Sequence, residues 1–129
     1  MEKILQDRNG KKNQKVILSV MTDTGFSAVS KIYSEDKNVK IFYFPLDDFF
    51  AMKKIYKKYK IEKTIVVETE IWPNLYYFAQ KNGQLFIVNG RLTEKKLKSY
   101  LKFGWLIRKT LNCATKIMVQ SIPDKERYE

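Results

Sequence analysis

The run Thr64-Ile-Val-Val67 constrains the fold more than any other stretch of the chain. It is short, unbroken and wholly β-branched, the pattern of a strand buried on both faces of a parallel sheet. Eight residues follow it, Glu68-Thr-Glu-Ile-Trp-Pro-Asn-Leu75, with Pro73 placed for the first turn of a helix. Strand, polar turn and helix in that order put two carboxylates, Glu68 and Glu70, at the carboxyl end of a strand. In open α/β sheets the crevice at that end is where ligands bind. The plainer alternative is that both acids cap the helix and complement its dipole, and the two residues by themselves do not choose between these readings.

The same alternation runs along the chain. Strands are expected at Val16 to Val20, Val39 to Phe44, Thr64 to Val67, Leu85 to Val88 and Lys116 to Val119. Helical patterns fall between them, at about Phe26 to Tyr33, Asp48 to Lys60, Pro73 to Lys81 and Glu94 to Asn112. Asp47 or Asp48 is available to cap the second helix, Asn82-Gly83 to close the third, and Gly104 to divide the fourth. Alternation of this kind predicts an α/β, Rossmann-like fold of three layers, a parallel sheet with helices on both faces. Residues 1–15 are polar and Lys-rich and read as a segment ahead of the domain, which occupies 16–129. With 129 residues, of which 44% are hydrophobic, one domain with a real core is expected.

The composition removes several chemistries. The chain has no histidine and a single cysteine, Cys113, so these residues cannot build a His-dependent triad, a His zinc site or an intrachain disulfide. No metal site is expected, and Cys113 reads as a small buried apolar residue of a reducing compartment. Neither a Walker A nor a Gly-x-Gly-x-x-Gly pattern occurs. No apolar run approaches the ~18 residues that span a bilayer, and the start lacks a signal peptide, so a cytoplasmic or peripheral location is expected. The formal charge of +11, mostly lysine, suits an anionic partner, while the scarcity of arginine argues against base-specific nucleic-acid readout.

Four polar segments follow strands: Met21-Thr-Asp-Thr-Gly25, Glu68 to Asn74, Asn89-Gly-Arg-Leu-Thr93 and Gln120-Ser121. One parallel sheet would gather all four along one edge. Thr22, Thr24 and Gly25 suit a phosphate or carboxylate at a helix N-terminus, or simply a helix cap. Arg91 is placed either to hold a substrate carboxylate in bidentate fashion or to pair with Glu68 or Glu70. The stretch from Glu94 to Lys109 mixes lysines with Leu97, Leu101, Phe103, Trp105 and Leu106. Such a helix can lie on an anionic membrane, although the commoner arrangement buries the apolar side in the core and leaves the lysines in solvent.

The segment Glu68 to Leu75 closely resembles a signature of the bacterial lipid A 3-deoxy-D-manno-octulosonic acid (Kdo) transferases. Met21-Thr-Asp-Thr-Gly25 is similar to that family's Met-Thr-x-Thr-Gly segment, and Asn89-Gly-Arg-Leu-Thr93 with Ser99-Tyr100 to its Asn-x-Arg-Leu-Ser segment. Phe44-Pro-Leu-Asp47 is similar to its Leu-Pro-Tyr-Asp stretch, with Leu46 in place of the tyrosine. The likeness runs from about Val16 to Arg127. It implies the partial N-terminal, acceptor-binding domain of a GT-B glycosyltransferase that moves Kdo from CMP-Kdo to a lipid A precursor at the cytoplasmic face of the inner membrane. The family is metal-independent and uses no cofactor beyond the donor substrate, which binds mainly to the C-terminal domain.

Carried over by residue, the resemblance makes Glu68 and Glu70 the catalytic-site carboxylates, supporting the acceptor or stabilising the transition state. Thr22, Thr24, Gly25, Trp72, Asn74 and Arg91 are the substrate-binding candidates, and Trp72, Pro73 and Asn74 fix the loop. The family also carries an upstream strand ending in Gly-Glu, whose glutamate is its general base, together with a donor domain and an N-terminal anchor. None of these is recognisable here, so the expectation is an acceptor-domain fragment that is inactive alone. Without the upstream strand, marginal stability or self-association is expected. A basic phosphate-binding or nucleic-acid-binding module, or a non-catalytic interaction protein, is the alternative.

Overall fold

The computed structural model describes residues 14–68 and 70–128. The polar segment 1–15 therefore lies almost wholly outside the described residues. The chain divides into two compact units, Met1–Phe44 and Pro45–Glu129.

The first unit holds β1 (Val16–Val20), α1 (Asp23–Tyr33) and β2 (Val39–Tyr43). The strands are parallel, with Val16 opposite Val39 and Val20 opposite Tyr43. Helix α1 starts three residues before the expected Phe26, because Thr22 adopts an extended conformation and its hydroxyl accepts the Gly25 N–H at 3.1 Å. Phe26 stacks on Tyr43 with ring centroids 4.6 Å apart, and Tyr43 donates its hydroxyl proton to Asp23 at 2.7 Å. These contacts fasten the start of the helix to the end of β2.

The second unit holds α2 (Phe49–Tyr59), β3 (Lys63–Val67), α3 (Pro73–Asn82), β4 (Gln84–Gly90), α4 (Glu94–Leu101), α5 (Gly104–Leu111), β5 (Lys116–Val119) and α6 (Ile122–Tyr128). Its sheet runs in the order β3-β4-β5, parallel throughout, with Lys63 opposite Gln84 and Phe86 opposite Lys116. The core is built from β-strand residues Val66, Leu85 and Ile87 against Met52 and Tyr56 of α2 and Tyr76, Phe78 and Ala79 of α3. Phe78 makes the helix contact, with its ring 5.2 Å from Phe49 and 6.0 Å from Tyr56. Tyr56 also shares a hydrogen bond of 2.6 Å with Thr64 on β3, which satisfies a buried hydroxyl where α2 crosses the sheet.

Helix α3 ends where Gly83 approaches the start of β3. A Cβ on Gly83 would overlap the Glu62 carbonyl, so only glycine fits. The φ of 173° there is ordinary extended backbone, so the close approach rather than a left-handed cap requires the residue.

The α/β class with parallel strands is the one the sequence predicts, with two differences. The strands form two ladders, β1-β2 and β3-β4-β5, so three of the four polar strand ends share one sheet. Val16–Val20 and Thr64–Val67 are both rich in β-branched residues, and nothing in such runs says which edges pair. The second difference is helix α6, which the sequence reading leaves out.

Candidate active site at the strand ends

The site is assembled at the carboxyl ends of β3, β4 and β5. At the end of β3, the Glu68 N–H donates to the Val88 carbonyl at 2.9 Å and so continues the ladder. Glu68 itself has φ of 66°, a conformation that L residues with a Cβ adopt at a cost. This turns the chain sharply off the sheet and leaves the Glu68 side chain exposed. Backbone held in a sparsely populated region at a ligand-binding edge is a recurrent mark of functional sites.

Glu70 is half-buried, and its carbonyl accepts the Tyr76 hydroxyl at 2.7 Å. Tyr76 is 0% exposed, and burial, with the nearby Tyr128, Tyr100 and Glu70, holds its phenol well above the ordinary tyrosine range. Tyr100 on α4 is raised by the same causes, burial first and then Glu70 and Tyr128. Tyr76 on α3 and Tyr100 on α4 therefore flank the Glu70 side of the loop, with Tyr128 of α6 near both, and the Tyr76 and Tyr100 hydroxyls stay protonated at neutral pH.

The helix that follows is capped from a distance. Trp72 occupies the N-cap position of α3 but makes no side-chain cap bond. The cap is Asp47: one carboxylate oxygen accepts the Asn74 N–H at 2.9 Å and the other the Leu75 N–H at 2.7 Å. Asn74 closes the loop in return, its side-chain amide donating to the Asp47 carbonyl at 2.7 Å. Leu46 and Asp47 have φ of 48° and 59°, which aims the carboxylate at α3. Of the two acids expected to cap α2, Asp48 does so, accepting the Ala51 N–H at 2.7 Å. The pair Asp47-Asp48, two good caps where one helix starts, was the available signal that one of them serves elsewhere.

The β4 end is organised around Asp124, which is buried on α6. Its carboxylate accepts the Leu92 N–H at 2.9 Å and the Ser121 hydroxyl at 2.6 Å. Arg127 lies 3.5 Å from that carboxylate, donates to the Leu92 carbonyl at 3.1 Å and reaches Glu94 at 3.8 Å. The Ser121 hydroxyl bond, then the Leu92 N–H, and then Arg127 and Arg91 hold Asp124 below the usual carboxylate range against the opposing effect of burial. Gln120 donates its side-chain amide to Asn89, whose φ is 57°. Arg91 is thus presented in solvent by a turn whose next residue is clamped on both its N–H and its carbonyl. The sequence Ser121-Ile-Pro-Asp124, a helix-start pattern, was the overlooked sign of α6.

Of the predicted site residues, Glu68, Glu70, Trp72, Asn74 and Arg91 lie on this unit, at the ends of β3 and β4 or on the turn into α3. Thr22, Thr24 and Gly25 lie on the other unit, where Thr22 caps α1 and engages the Gly25 N–H that an anion would otherwise meet. Cys113 is half-buried rather than buried, and burial raises its thiol despite Lys109. Among the described residues no group of three or more His, Cys, Asp or Glu is placed to hold a metal ion, and no helix is long and apolar enough to cross a membrane.

An edge of this kind offers the Glu68 and Glu70 carboxylates and the exposed Arg91 guanidinium to a polar, hydroxyl-bearing ligand. The fold is that of a parallel α/β domain with a candidate site at its strand ends. The family described as 3-deoxy-D-manno-octulosonic-acid transferase (kdotransferase) matches residues 2–129. The chain belongs to that family, in its N-terminal glycosyltransferase region, and the match begins well before the Val16 expected from motifs alone.

Among the relatives, a bifunctional glycosyltransferase/methyltransferase of Fusobacterium nucleatum is 38% identical over 113 residues, 87% of this chain and 18% of that protein. A 3-deoxy-D-manno-octulosonic acid transferase of Rickettsia typhi is 28% identical over 86 residues, 67% of this chain and 19% of its own length. The corresponding Haemophilus influenzae transferase is 29% identical over 97 residues, covering 70% of this chain and 22% of its own. The chain thus spans about a fifth of the length of the curated relatives it matches. No solved structure matches it.

Proposed function

We propose that this chain is the acceptor-binding part of a glycosyltransferase that moves Kdo from CMP-Kdo to a lipid A precursor at the cytoplasmic face of the inner membrane. The observation that carries the reading is the shared edge of β3 and β4, where Glu68 leaves the sheet in a strained conformation, Glu70 is held among tyrosines, and Arg91 follows the next strand. Family membership supports glycosyl transfer as the chemistry of this reading.

Glycosyl transfer needs an acceptor hydroxyl that loses a proton while positive charge develops at the donor's anomeric carbon. Carboxylates serve both needs, as base and as electrostatic partner. In this reading Glu68 and Glu70 orient the acceptor hydroxyl and complement that charge. Arg91 pairs with an anionic group of the acceptor. Asp47, Asn74 and Tyr76 are positioning residues that hold the loop through backbone bonds. The 129 residues bind acceptor without turning over by themselves, because the donor is held by residues the family places in its C-terminal domain.

The test is mass spectrometry of a lipid A precursor incubated with CMP-Kdo and a chimera in which residues 16–129 replace the matching segment of a relative that supplies the upstream Gly-Glu strand and the donor-binding domain. A mass increase of one Kdo unit that disappears with Glu70→Ala supports the reading. Acceptor unchanged by the chimera, while the parent relative glycosylates it, refutes the assignment.

A further inference from the structure

Three apolar side chains at the corner between α4 and α5 are far more exposed than a core role allows: Leu101 by 65%, Phe103 by 64% and Trp105 by 74%. The sequence reading placed the apolar side of this stretch in the core. The structure divides it, because Gly104 starts a second helix and the corner turns Leu101, Phe103 and Trp105 outward. Leu97, Tyr100, Leu106 and Ile107 remain partly covered. Around the corner Lys95, Lys96, Lys98, Lys102, Arg108 and Lys109 are all exposed, and the segment's one acid, Glu94, lies near Arg127.

We infer that the α4–α5 corner is an interfacial membrane-docking surface, which inserts Phe103, Trp105 and Leu101 among the acyl chains of an anionic bilayer while the flanking lysines meet lipid phosphates. An aromatic with a polar handle suits the headgroup boundary, and lysine stems lie along apolar surface while their ammonium groups reach outward. A basic polar rim around an apolar tip is the composition of interfacial helices. A second copy of the chain fits poorly. Each copy carries a formal charge of +11, and pairing the two corners would bring lysine against lysine. The inference goes beyond the proposed activity by naming the surface that touches lipid, and it holds whichever acceptor the site takes.

The test uses the full chain and vesicles of phosphatidylcholine alone or mixed with phosphatidylglycerol. Sedimentation should show binding only to the anionic vesicles. A Trp72→Phe variant leaves Trp105 as the sole tryptophan, whose emission should shift to the blue on binding. Phe103→Ser with Trp105→Ser should weaken partitioning by about tenfold or more, with an unchanged circular dichroism spectrum because both side chains are exposed. The inference is overturned if anionic vesicles are not bound, if the Trp105 emission stays put, or if the double substitution leaves binding intact. Lipid-free self-association abolished by the same substitutions would assign the corner to a second copy and overturn it as well. None of these readouts depends on sugar transfer, so the outcome is independent of the proposed activity.

Discussion

Truncating Asp47 to alanine removes both acceptors that cap α3 in one step. The two bonds, at 2.9 and 2.7 Å, are to a carboxylate. Hydrogen bonds to a charged partner contribute about 1.5–3 kcal/mol each, and an ordinary N-cap about 1 kcal/mol. Asp47 is only half-buried, so water recovers part of the loss. A cost of about 2–4 kcal/mol for Asp47→Ala follows from the two charged bonds after that recovery. Asp47→Asn keeps one carbonyl acceptor and a side chain that tolerates φ of 59°, and should cost about half as much. Asp48→Ala, which removes a single local cap, should cost about 1 kcal/mol. Urea unfolding followed by circular dichroism reads all three as midpoint shifts at constant slope. If Asp47→Ala costs no more than Asp48→Ala, or if the asparagine variant behaves like the alanine one, the capping argument is wrong.

Three further outcomes are expected. Gly83→Ala should destabilise by about 3 kcal/mol or more, since the new methyl group meets the Glu62 backbone rather than a movable side chain; near-wild-type unfolding would refute the close approach. Asp124 has a folded pKa below its unfolded one, so its contribution is complete above the unfolded value and is lost as pH falls through the folded value. Acid titrations should therefore show Asp124→Asn flattening the fall in stability below about pH 4, and an identical pH dependence would remove the proposed clamp. At Glu68, where φ is 66°, glycine relieves about 1–2 kcal/mol of left-handed strain and returns about 0.5–1 as chain entropy. Glu68→Gly should thus be more stable than Glu68→Ala in thermal melts while both lose ligand binding, and a more stable alanine variant would contradict the strained turn.

Most of the fold was legible in the chain because short β-branched runs, helical periodicity and capping residues report local structure directly. Val16–Val20 and Lys116–Val119 matched to the residue, and Gly104 did mark a break between helices. What local pattern does not carry is pairing. The division into two ladders depends on edges that look alike in sequence, and the Asp47 cap joins residues 27 and 28 positions apart. The motif singled out the turn from Glu68 to Leu75, but not the residues that support it. Tyr76 reads as one more apolar helix residue until its hydroxyl is seen on the Glu70 carbonyl. Leu101, Phe103 and Trp105 show the converse, apolar residues whose exposure no periodicity revealed.

The claim that the β3–β4 edge is an acceptor site is tested most directly by calorimetric binding of a lipid A precursor to this chain and to its Glu68→Ala, Glu70→Ala and Arg91→Ala variants. The account predicts saturable binding to the parent chain, weakened about tenfold by each substitution, with thermal unfolding essentially unchanged. Absent binding to the parent chain, or variants that lose stability while binding as tightly as before, would leave the two glutamates a structural role only and contradict the account.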